Sequence, residues 1–342
     1  MRNGIDNQTQ FACEPFVLPD KDGRPRLVLV VKATYLLGQG RLRLAEEQVP
    51  VNLAGECWGA PEESSYRYEP ECAPFKPATD VVLVGHAHAR ERDTTSLLVS
   101  LKVGPVSASV RVVGDRVWFK SMGSISMTRP LPFERMPLRY ERAFGGWDRS
   151  HPDPAHHSFE PRNPVGVGFR TGARFFEGEQ RLPNLEDPQY PLTQPGQRVP
   201  PAGFGFLSPN WQPRAAYVGT YDESWRKQRM PRLPEDFDPR YFNAASPGMV
   251  VSGYLKGGEP VTLLNASPQP LSFQLPSEPP PTVSVSLSFA GDTRLDMKLD
   301  TSIIDTDRQW LMLLWRGSVA LKDGADDVWD IAVSAPSSVG KS

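Results

Sequence analysis

Apolar and polar residues follow a strand-like pattern in two separate parts of the chain. In the first part, residues 26–37 (RLVLVVKATYLL) form a near-continuous β-branched and apolar run, which is typical of a strand buried on both faces. Glycines follow this run, so residues 41–45 are predicted to return as its hairpin partner. Residues 49–53 are a further short strand candidate. The chain is therefore expected to begin with a β-rich portion.

The strand signal is strong again from residue 79 to residue 121. The runs VVLVGHAHA, TTSLLVSLKV, VSASVRVV and RVWFKS are separated by short turn sequences. Within residues 106–113 the valines alternate with serine and arginine, which predicts one buried and one exposed face. Gly114-Asp115 between two alternating runs is a hairpin signal, because glycine reaches positive φ without steric cost. We expect an antiparallel meander here.

A second β-rich part begins at residue 249, after a long irregular stretch. The stretch is rich in proline, glycine, arginine and aromatics. It predicts only one short helix, around residues 222–228. The acidic residues of this helix come first, which the helix dipole favours. With no βαβ alternation, we predict a mainly β fold of antiparallel β-sandwich-like portions, a long ordered irregular central segment and few short helices. The seven strand candidates after the stretch are MVVSGYL, PVTLLN, LSFQL, TVSVSLSFA, TRLDMKL, WLMLLWRGSVAL and VWDIAV.

This pattern divides the chain into three parts and a tail. The predicted parts are an N-terminal β-rich portion (1–126), the central segment (127–245), a C-terminal β-rich portion (246–334) and a tail (335–342). One continuous domain over residues 10–334 is the alternative. The pattern leaves open whether the two β-rich portions form one sandwich or two.

Residues 203–245 are the most unusual stretch. They contain nine large aromatics and five arginines, with neither a period of two nor a sustained helical period. Long irregular segments are usually functional or disordered, and disordered segments lack aromatics, so we predict an ordered segment. Aromatics beside arginines are typical of binding hot spots, although the rings also fit a core and the arginines also fit ion pairs. The candidate partner-binding residues are Trp211, Arg214, Tyr217, Tyr221, Trp225, Arg229, Phe237 and Arg240.

Net charge and cysteine content restrict the partners and the compartment that can be expected for this protein. The formal net charge of -2 gives no basic footprint for nucleic acid or for an anionic membrane. The N-terminus lacks the apolar run of a signal sequence, and no stretch approaches the ~18 apolar residues of a membrane span. Cys13, Cys57 and Cys72 are odd in number and form no CxxC pair. We expect a soluble cytoplasmic protein whose cysteines are thiols.

Two histidine groups are candidate metal ligands. HPDPAHH (151–157) holds three of the five histidines, but its spacing matches no established site, and its prolines favour a solvated turn. His86 and His88 share one strand face and could both bind a metal ion, but no third ligand is evident. The alternative is that they lie on an exposed face of a sheet. We predict no metal site and no cofactor.

Aspartates are concentrated in DTRLDMKLDTSIIDTD (292–307). A pair of carboxylates at a suitable distance performs acid–base chemistry in glycosidases. Asp296 and Asp300 are interleaved with apolar residues, however, which predicts the solvated side of a half-buried strand. Nucleophile-elbow and phosphate-binding motifs are not found in the sequence. We therefore predict no catalytic residues and a binding protein rather than an enzyme.

Several blocks of sequence resemble an uncharacterised domain family that is found beside type VI secretion genes. They are VLPDKDGRPRLVLVVKATY, LRYERAFGGWD, NPVGVGF, LPNLEDP, residues 201–245 and LDTSIIDTDRQWLMLLWRG, in family order over about residues 10–320. The resemblance implies an effector adaptor or chaperone that acts in the cytoplasm. Its implied partners are a type VI effector (toxin) and the VgrG spike or PAAR tip protein. It implies no catalytic residues.

Three functions remain in competition at this point. The first is a non-catalytic adaptor that loads a toxin onto the VgrG–PAAR spike. The second is a carbohydrate-active hydrolase that uses carboxylates on a β-sandwich, and the third is a secreted or structural component of the secretion machine. The first hypothesis agrees best with the residues, since strand edges and aromatic pockets bind polypeptides without catalysis.

Overall fold

The computed structural model describes residues 4–40, 42–121, 124–171 and 179–335. Residues 336–342 of the predicted tail lie outside this range. Within it the chain is mainly β, and its single α-helix, α1 (Glu223–Gln228), lies where the short helix was predicted. The prediction of a mainly β fold is confirmed.

The strands range from two to twelve residues. In chain order they are β1 (Ile5–Asn7), β2 (Ala12–Pro19), β3 (Pro25–Leu36), β4 (Arg43–Leu44), β5 (Glu56–Cys57), β6 (Tyr66–Tyr68), β7 (Asp80–Val84), β8 (His86–His88), β9 (Ser96–Val103), β10 (Val106–Val113), β11 (Val117–Ser121), β12 (Ser124–Met127), β13 (Arg135–Pro137), β14 (Phe144–Gly145), β15 (Trp147–Asp148), β16 (Ser158–Phe159), β17 (Val167–Gly168), β18 (Gln180–Arg181), β19 (Leu185–Glu186), β20 (Pro260–Leu264), β21 (Leu271–Gln274), β22 (Thr282–Leu287), β23 (Gly291–Leu295), β24 (Lys298–Asp305), β25 (Trp310–Ala320) and β26 (Val328–Ser334). Single turns of 3-10 helix occur at Tyr140–Arg142, Pro154–His156, Arg214–Tyr217, Pro239–Phe242 and Gly324–Asp327.

A six-stranded sheet occupies the centre of the molecule. Its order is β2-β3-β25-β24-β7, and β4 pairs with β3 as the predicted hairpin partner. Residues 27–35 of β3 are buried, as the near-continuous apolar run predicted. β25 pairs with β3 on one side and with β24 on the other. Its two neighbours therefore come from opposite ends of the sequence.

Two further large sheets complete the β framework. A five-stranded sheet has the order β19-β10-β9-β20-β21, and a four-stranded sheet has the order β1-β26-β22-β23. One hydrophobic core contains buried residues from all three large sheets. Strands from the predicted N-terminal and C-terminal portions lie side by side in each of these sheets.

The sheets are antiparallel and mixed. β24 runs parallel to β7, and β1 runs parallel to β26. A parallel pair needs a long connection between its strands, and the whole central segment lies between β7 and β24. The long connection that contains the central segment therefore returns the chain to the same end of the sheet before β24 begins.

The hairpin predicted at Gly114-Asp115 is wrong. β10 pairs with β9 and β19, whereas β11 pairs with β12 and β18. Gly114 instead permits a close chain crossing, because a Cβ there would lie 1.8 Å from the carbonyl oxygen of Leu131. Only the β9–β10 hairpin of the predicted meander is present, with the alternating burial expected for residues 106–113.

Two other strand predictions are wrong. Residues 49–53 form no strand, because side chains occupy their backbone: Val49 N donates to Thr34 Oγ1, and Asn52 N donates to Glu71 Oε2. Residues 249–255 form only isolated bridges, Asp80 with Val250 and Leu255 with Leu299. Both segments run beside the central sheet without joining it as strands.

Candidate partner-binding surface

The stretch 203–245 covers the edge of the central sheet at β7. Leu83 N of β7 donates to the carbonyl oxygen of Phe204, and within the stretch Leu207 N donates to that of Ala244. The Asp80 carboxylate, at the start of β7, accepts hydrogen bonds from the backbone nitrogens of Ala244 and Ala245. An edge strand exposes unpaired backbone groups, and the stretch satisfies them here.

Two of the predicted binding residues are buried and hold this stretch in place. Trp211 packs edge-on against Tyr140, with ring centroids 5.6 Å apart. Arg214 donates to the carbonyl oxygens of Leu207 and Tyr241 and pairs with Glu69, with Nη1 and Oε1 2.6 Å apart. Both residues serve the fold, since neither side chain reaches the surface of the free protein.

Exposed Arg240 stacks on half-buried Tyr217. The Arg240 guanidinium carbon lies 4.5 Å from the centroid of the Tyr217 ring. Asp238 accepts from Arg240 Nε at 2.9 Å and Nη2 at 2.5 Å, which fixes the guanidinium over the ring. The pair is preorganised, but its one charge, that of Arg240, is already matched by Asp238.

Tyr221 and Trp225 lie on and beside α1. The Asp222 side chain caps this helix by accepting from Trp225 N at 2.8 Å. The two aromatic rings meet edge to face at 4.6 Å, and Trp225 Nε1 donates to the carbonyl oxygen of Arg232. Tyr221 is exposed, whereas Trp225 is half-buried.

Arg229 ties the loop after α1 to the turn between β2 and β3. Its Nη2 donates to Leu233 O at 2.8 Å, to Asp22 Oδ1 at 3.1 Å and to Lys21 O at 3.3 Å. Arg232 packs on the same turn, where a Cβ at Gly23 would lie 3.1 Å from Arg232 Cγ. These contacts bring together two segments that lie about two hundred residues apart in sequence.

An apolar groove of about 420 Å³ lies beside this junction. Three of its rings pack together, with those of Phe75 and Phe237 each 5.4 Å from the Phe242 ring. We call it the phenylalanine groove. Its lining residues are Pro19, Asp20, Lys21, Arg26, Pro74, Phe75, Leu233, Phe237, Pro239, Phe242 and Ser318.

The rim of the phenylalanine groove is cationic. Lys21 is exposed and Arg26 is half-buried, and neither forms an ion pair within the described part of the chain. Arg26 donates to Ser318 Oγ at 2.9 Å. The Asp20 carboxylate is occupied by the turn, since it accepts from the backbone nitrogens of Asp22 and Arg24. The groove therefore combines an apolar floor with a rim of two unpaired cations and one carboxylate, which is net positive.

Two of the predicted binding residues lie at this groove. Phe237 is part of its lining, and Arg229 contacts Lys21 and Leu233, which line it. Phe75 was missed. It lies in the aromatic loop that ends near Pro77, and an aromatic residue flanked by Pro74 and Pro77 was the available sequence signal. The structure leaves its ring exposed. Phe242 belongs to the recognised aromatic stretch but was not selected.

A buried charge network was also missed. Lys76 Nζ lies 2.7 Å from Asp80 Oδ2 and 3.8 Å from Glu69 Oε2. Burial lowers the pKa of Lys76, but the carboxylates of Asp80 and Glu69 outweigh it and raise that pKa. Burial also raises the pKa of Glu69, although Lys76 and Arg214 oppose this. The network anchors the stretch 203–245 to β7.

A series of stacked guanidinium groups and aromatic rings lies near the outer end of β25. Each guanidinium carbon is 4.9–5.9 Å from the centroid of its neighbouring ring. Tyr68 donates its hydroxyl proton to the buried Asp305. The series runs Arg139, Trp58, Arg67, Tyr68, Arg308 and Trp310.

The two histidine groups make separate local contacts. His86 Nδ1 lies 2.9 Å from both carboxylate oxygens of Asp307, which also pairs with Arg135. In HPDPAHH, Asp153 caps the turn by accepting from Ala155 N, and the rings of His151 and His156 stack at 4.3 Å. Within the described residues, no three His, Cys, Asp or Glu side chains converge in a way that would bind a metal ion.

The predicted solvated strand face is present at Asp296 but not at Asp300. Asp300 is buried and accepts from Arg316 Nε at 2.6 Å, because a second layer of chain covers that side of β24. Asp296 is exposed and pairs with Lys298 at 2.8 Å. Asp305 is buried beside Tyr68. Neither buried carboxylate is accessible to a substrate.

Cys13, Cys57 and Cys72 are free and partly buried, and burial raises the pKa of the Cys13 thiol. Among the described residues no helix has the length and apolar character that crossing a membrane requires.

Comparisons with known proteins give a family and nothing closer. Neither a curated protein nor a solved structure matches the chain. A family model described as an uncharacterized protein conserved in bacteria (DUF2169) matches residues 22–316. This match covers β3 to most of β25 and includes the phenylalanine groove apart from Pro19–Lys21 and Ser318. The chain therefore belongs to the DUF2169 family of uncharacterized bacterial proteins.

Proposed function

We propose that this protein is a non-catalytic adaptor that binds a type VI secretion effector in the cytoplasm and helps load it onto the VgrG–PAAR spike. The observation that carries the proposal is the phenylalanine groove, an exposed apolar site on a framework whose other large aromatics are mostly packed. The adaptor binds an apolar segment of the effector there, and the link to type VI secretion rests on the sequence resemblance described above.

The groove has the features of a polypeptide-binding site. Phe75 is 42% exposed at its floor, and binding surfaces commonly place aromatic anchors in pockets of this kind. The wall formed by Leu233 and Phe237 is held rigidly by the contacts of Arg229, so little ordering is needed on binding. A preformed groove suits an adaptor, which must hold its cargo without changing it.

The rim narrows the class of segment that the groove accepts. Lys21 and Arg26 are unpaired cations beside an apolar floor. An apolar segment that carries an adjacent carboxylate matches both features, because charge complementarity favours such a segment over neutral or basic ones.

Affinity purification from cells that carry the native gene neighbourhood tests the proposal. The tagged chain is expected to co-purify with an effector, and with VgrG or PAAR protein, as identified by mass spectrometry. Phe75→Ser is expected to weaken effector capture by about 10- to 100-fold, because it removes an aromatic anchor. Its melting temperature is expected to stay close to that of the wild type.

Phe289 provides a matched control. Its ring is 38% exposed, lies in the turn between β22 and β23 and does not line the groove. Phe289→Ser is expected to capture effector as the wild type does. Recovery of no effector, VgrG or PAAR protein by the wild type contradicts the adaptor proposal, whereas full capture by Phe75→Ser contradicts only the placement of the site.

A further inference from the structure

A second cleft, of about 610 Å³, lies on the three-stranded sheet and is lined by five arginines. Arg116 directly precedes β11, and Leu182 N donates to its carbonyl oxygen. Arg181, in β18, pairs in register with Val117 of β11. Arg129 follows Thr128, whose backbone nitrogen donates to Val117 O. The β11 neighbourhood thus brings Arg116, Arg129 and Arg181 to one place. We call this cleft the arginine cleft.

Three of the arginines have no carboxylate partner in the described part of the chain. Arg129 and Arg181 are exposed, and neither forms an ion pair or side-chain hydrogen bond there. Arg139 is half-buried, and its guanidinium carbon lies 5.9 Å from the centroid of Trp58. A half-buried guanidinium without a carboxylate is uncommon, because removing its charge from water costs free energy unless an anion compensates.

Two buried nitrogens of the same cleft also lack an acceptor. Arg116 Nε and Arg139 Nε are both shielded from solvent and make no hydrogen bond with the described protein groups. Arg116 is buried, and its other nitrogens contact Glu186, Pro183 O and Met127 Sδ. Buried donors without acceptors are rare in native proteins and indicate an acceptor that the described residues do not supply.

The carboxylates that line the arginine cleft do not neutralise it. Asp115 accepts from Arg142 and Asn184, and Glu141 accepts from the backbone nitrogen and hydroxyl of Ser65. Glu179 is exposed at the edge and forms no ion pair with the described residues. Glu141 and Glu179 have no cationic partner among the described residues, so three unpaired arginines against these two glutamates leave the cleft with an excess of positive charge.

We propose that the arginine cleft is a binding site for a small multivalent oxyanion, either a phosphate ester or a polycarboxylate. Guanidinium groups bind both through paired, charge-assisted hydrogen bonds to adjacent oxygens. The volume fits a small molecule, and the apolar side chains of Leu131, Val167 and Leu182 contact its carbon skeleton. This site is separate from the phenylalanine groove and does not depend on the adaptor proposal.

Isothermal titration of the full chain with inorganic pyrophosphate, and separately with citrate, tests the proposal. We expect one saturable site per chain for at least one of the two anions. Saturation by pyrophosphate alone assigns a phosphate ligand, and saturation by citrate alone assigns a polycarboxylate. Binding is expected to weaken as salt is added, because salt screens the charges of the cleft.

Variants separate the cleft from general surface charge. Arg129→Gln combined with Arg181→Gln is expected to weaken binding by at least about tenfold, because two charge-assisted donors are lost. Both residues are exposed, so the fold is expected to survive. Arg92→Gln removes an exposed arginine between β8 and β9 and is expected to change affinity by less than about twofold. Absence of saturable binding for both anions, or an equal loss in Arg92→Gln, overturns the proposal.

Discussion

Arg214 and Glu69 form a buried ion pair, with Nη1 and Oε1 2.6 Å apart, that fastens the stretch 203–245 to the loop before β7. Arg214 also donates to two carbonyl oxygens of its own stretch. A side chain selected from sequence as a partner contact is therefore an internal anchor, and its loss acts on the fold.

Arg214→Met is expected to lower the free energy of unfolding by about 3–5 kcal/mol, because Glu69 then remains buried without its closest partner. Chemical denaturation measures the change. The control is Arg226→Met on α1, whose side chain is 71% exposed and pairs with Glu223 at 3.7 Å. That variant is expected to differ from the wild type by less than about 0.5 kcal/mol. Equal effects of the two substitutions contradict the anchoring role.

Trp211 and Tyr221 lie ten residues apart in the same irregular stretch but differ in burial, at 3% and 52% exposed. Trp211→Ala is expected to cost about 3–5 kcal/mol of stability, because it leaves a cavity against Tyr140. Tyr221→Ala loses mainly its contact with Trp225 and is expected to cost less than about 1 kcal/mol. Thermal unfolding of both variants measures the difference. Similar melting temperatures would contradict the difference in burial between Trp211 and Tyr221.

Gly146 in the FGGWD motif is expected to tolerate no side chain. Its φ is +93°, and a Cβ would lie 2.3 Å from the carbonyl oxygen of Gly166. Gly146→Ala is therefore expected to cost about 3 kcal/mol or more, since backbone strain and a steric clash add together. Gly248 is a matched control with φ of +86° and no atom within 4 Å of an added Cβ. Gly248→Ala is expected to cost only about 1–2 kcal/mol, the strain alone, as measured by urea unfolding.

Asp148 is expected to make stability depend on pH in the acid range. Burial favours its protonated form, but hydrogen bonds from Ser150 and Thr171 outweigh burial and hold its pKa well below the ordinary value of 3.8. Because the folded pKa lies below the unfolded one, the stabilisation is complete above pH 3.8 and is lost as the pH falls through the folded pKa.

Asp148→Asn is consequently expected to lose about 2 kcal/mol of stability at neutral pH, because an amide accepts these hydrogen bonds less strongly. The difference from the wild type is expected to shrink as the pH falls below about 4. Asp296→Asn, at an exposed ion pair with Lys298, serves as the control and is expected to change stability by less than about 0.5 kcal/mol throughout. A loss for Asp148→Asn that is independent of pH would contradict the role of its charge.

Local features of the fold follow from the sequence because they depend on neighbouring residues. The apolar run of residues 26–37 has no polar face, so β3 is buried on both sides wherever it lies. Alternation in residues 106–113 gives β10 one buried face, and Gly104 closes its hairpin with β9. Asp222, followed by a short run of helix-forming residues, gives α1.

Burial in the irregular stretch was decided only by tertiary structure. Trp211 and Tyr221 have similar local sequence surroundings, and no period distinguishes an inward from an outward side chain. The burial of Asp300 was likewise not predictable from local sequence. Its alternation with apolar residues indicates a solvated face, but Arg316 of β25 lies opposite and pairs with it. The position of that partner depends on how distant strands pair.

The sequence by itself determined the mainly β class, long strands such as β3, β10 and β25, and the concentration of aromatics and arginines in residues 203–245. Tertiary structure alone decided that β3 pairs with β25, that Phe75 meets Phe237 and Phe242, and that the arginines around β11 gather in one cleft. The physical reason is the range of the interactions. Strand propensity and turn chemistry act over a few residues, whereas a groove or a cleft requires surfaces to meet whose segments lie tens to hundreds of residues apart.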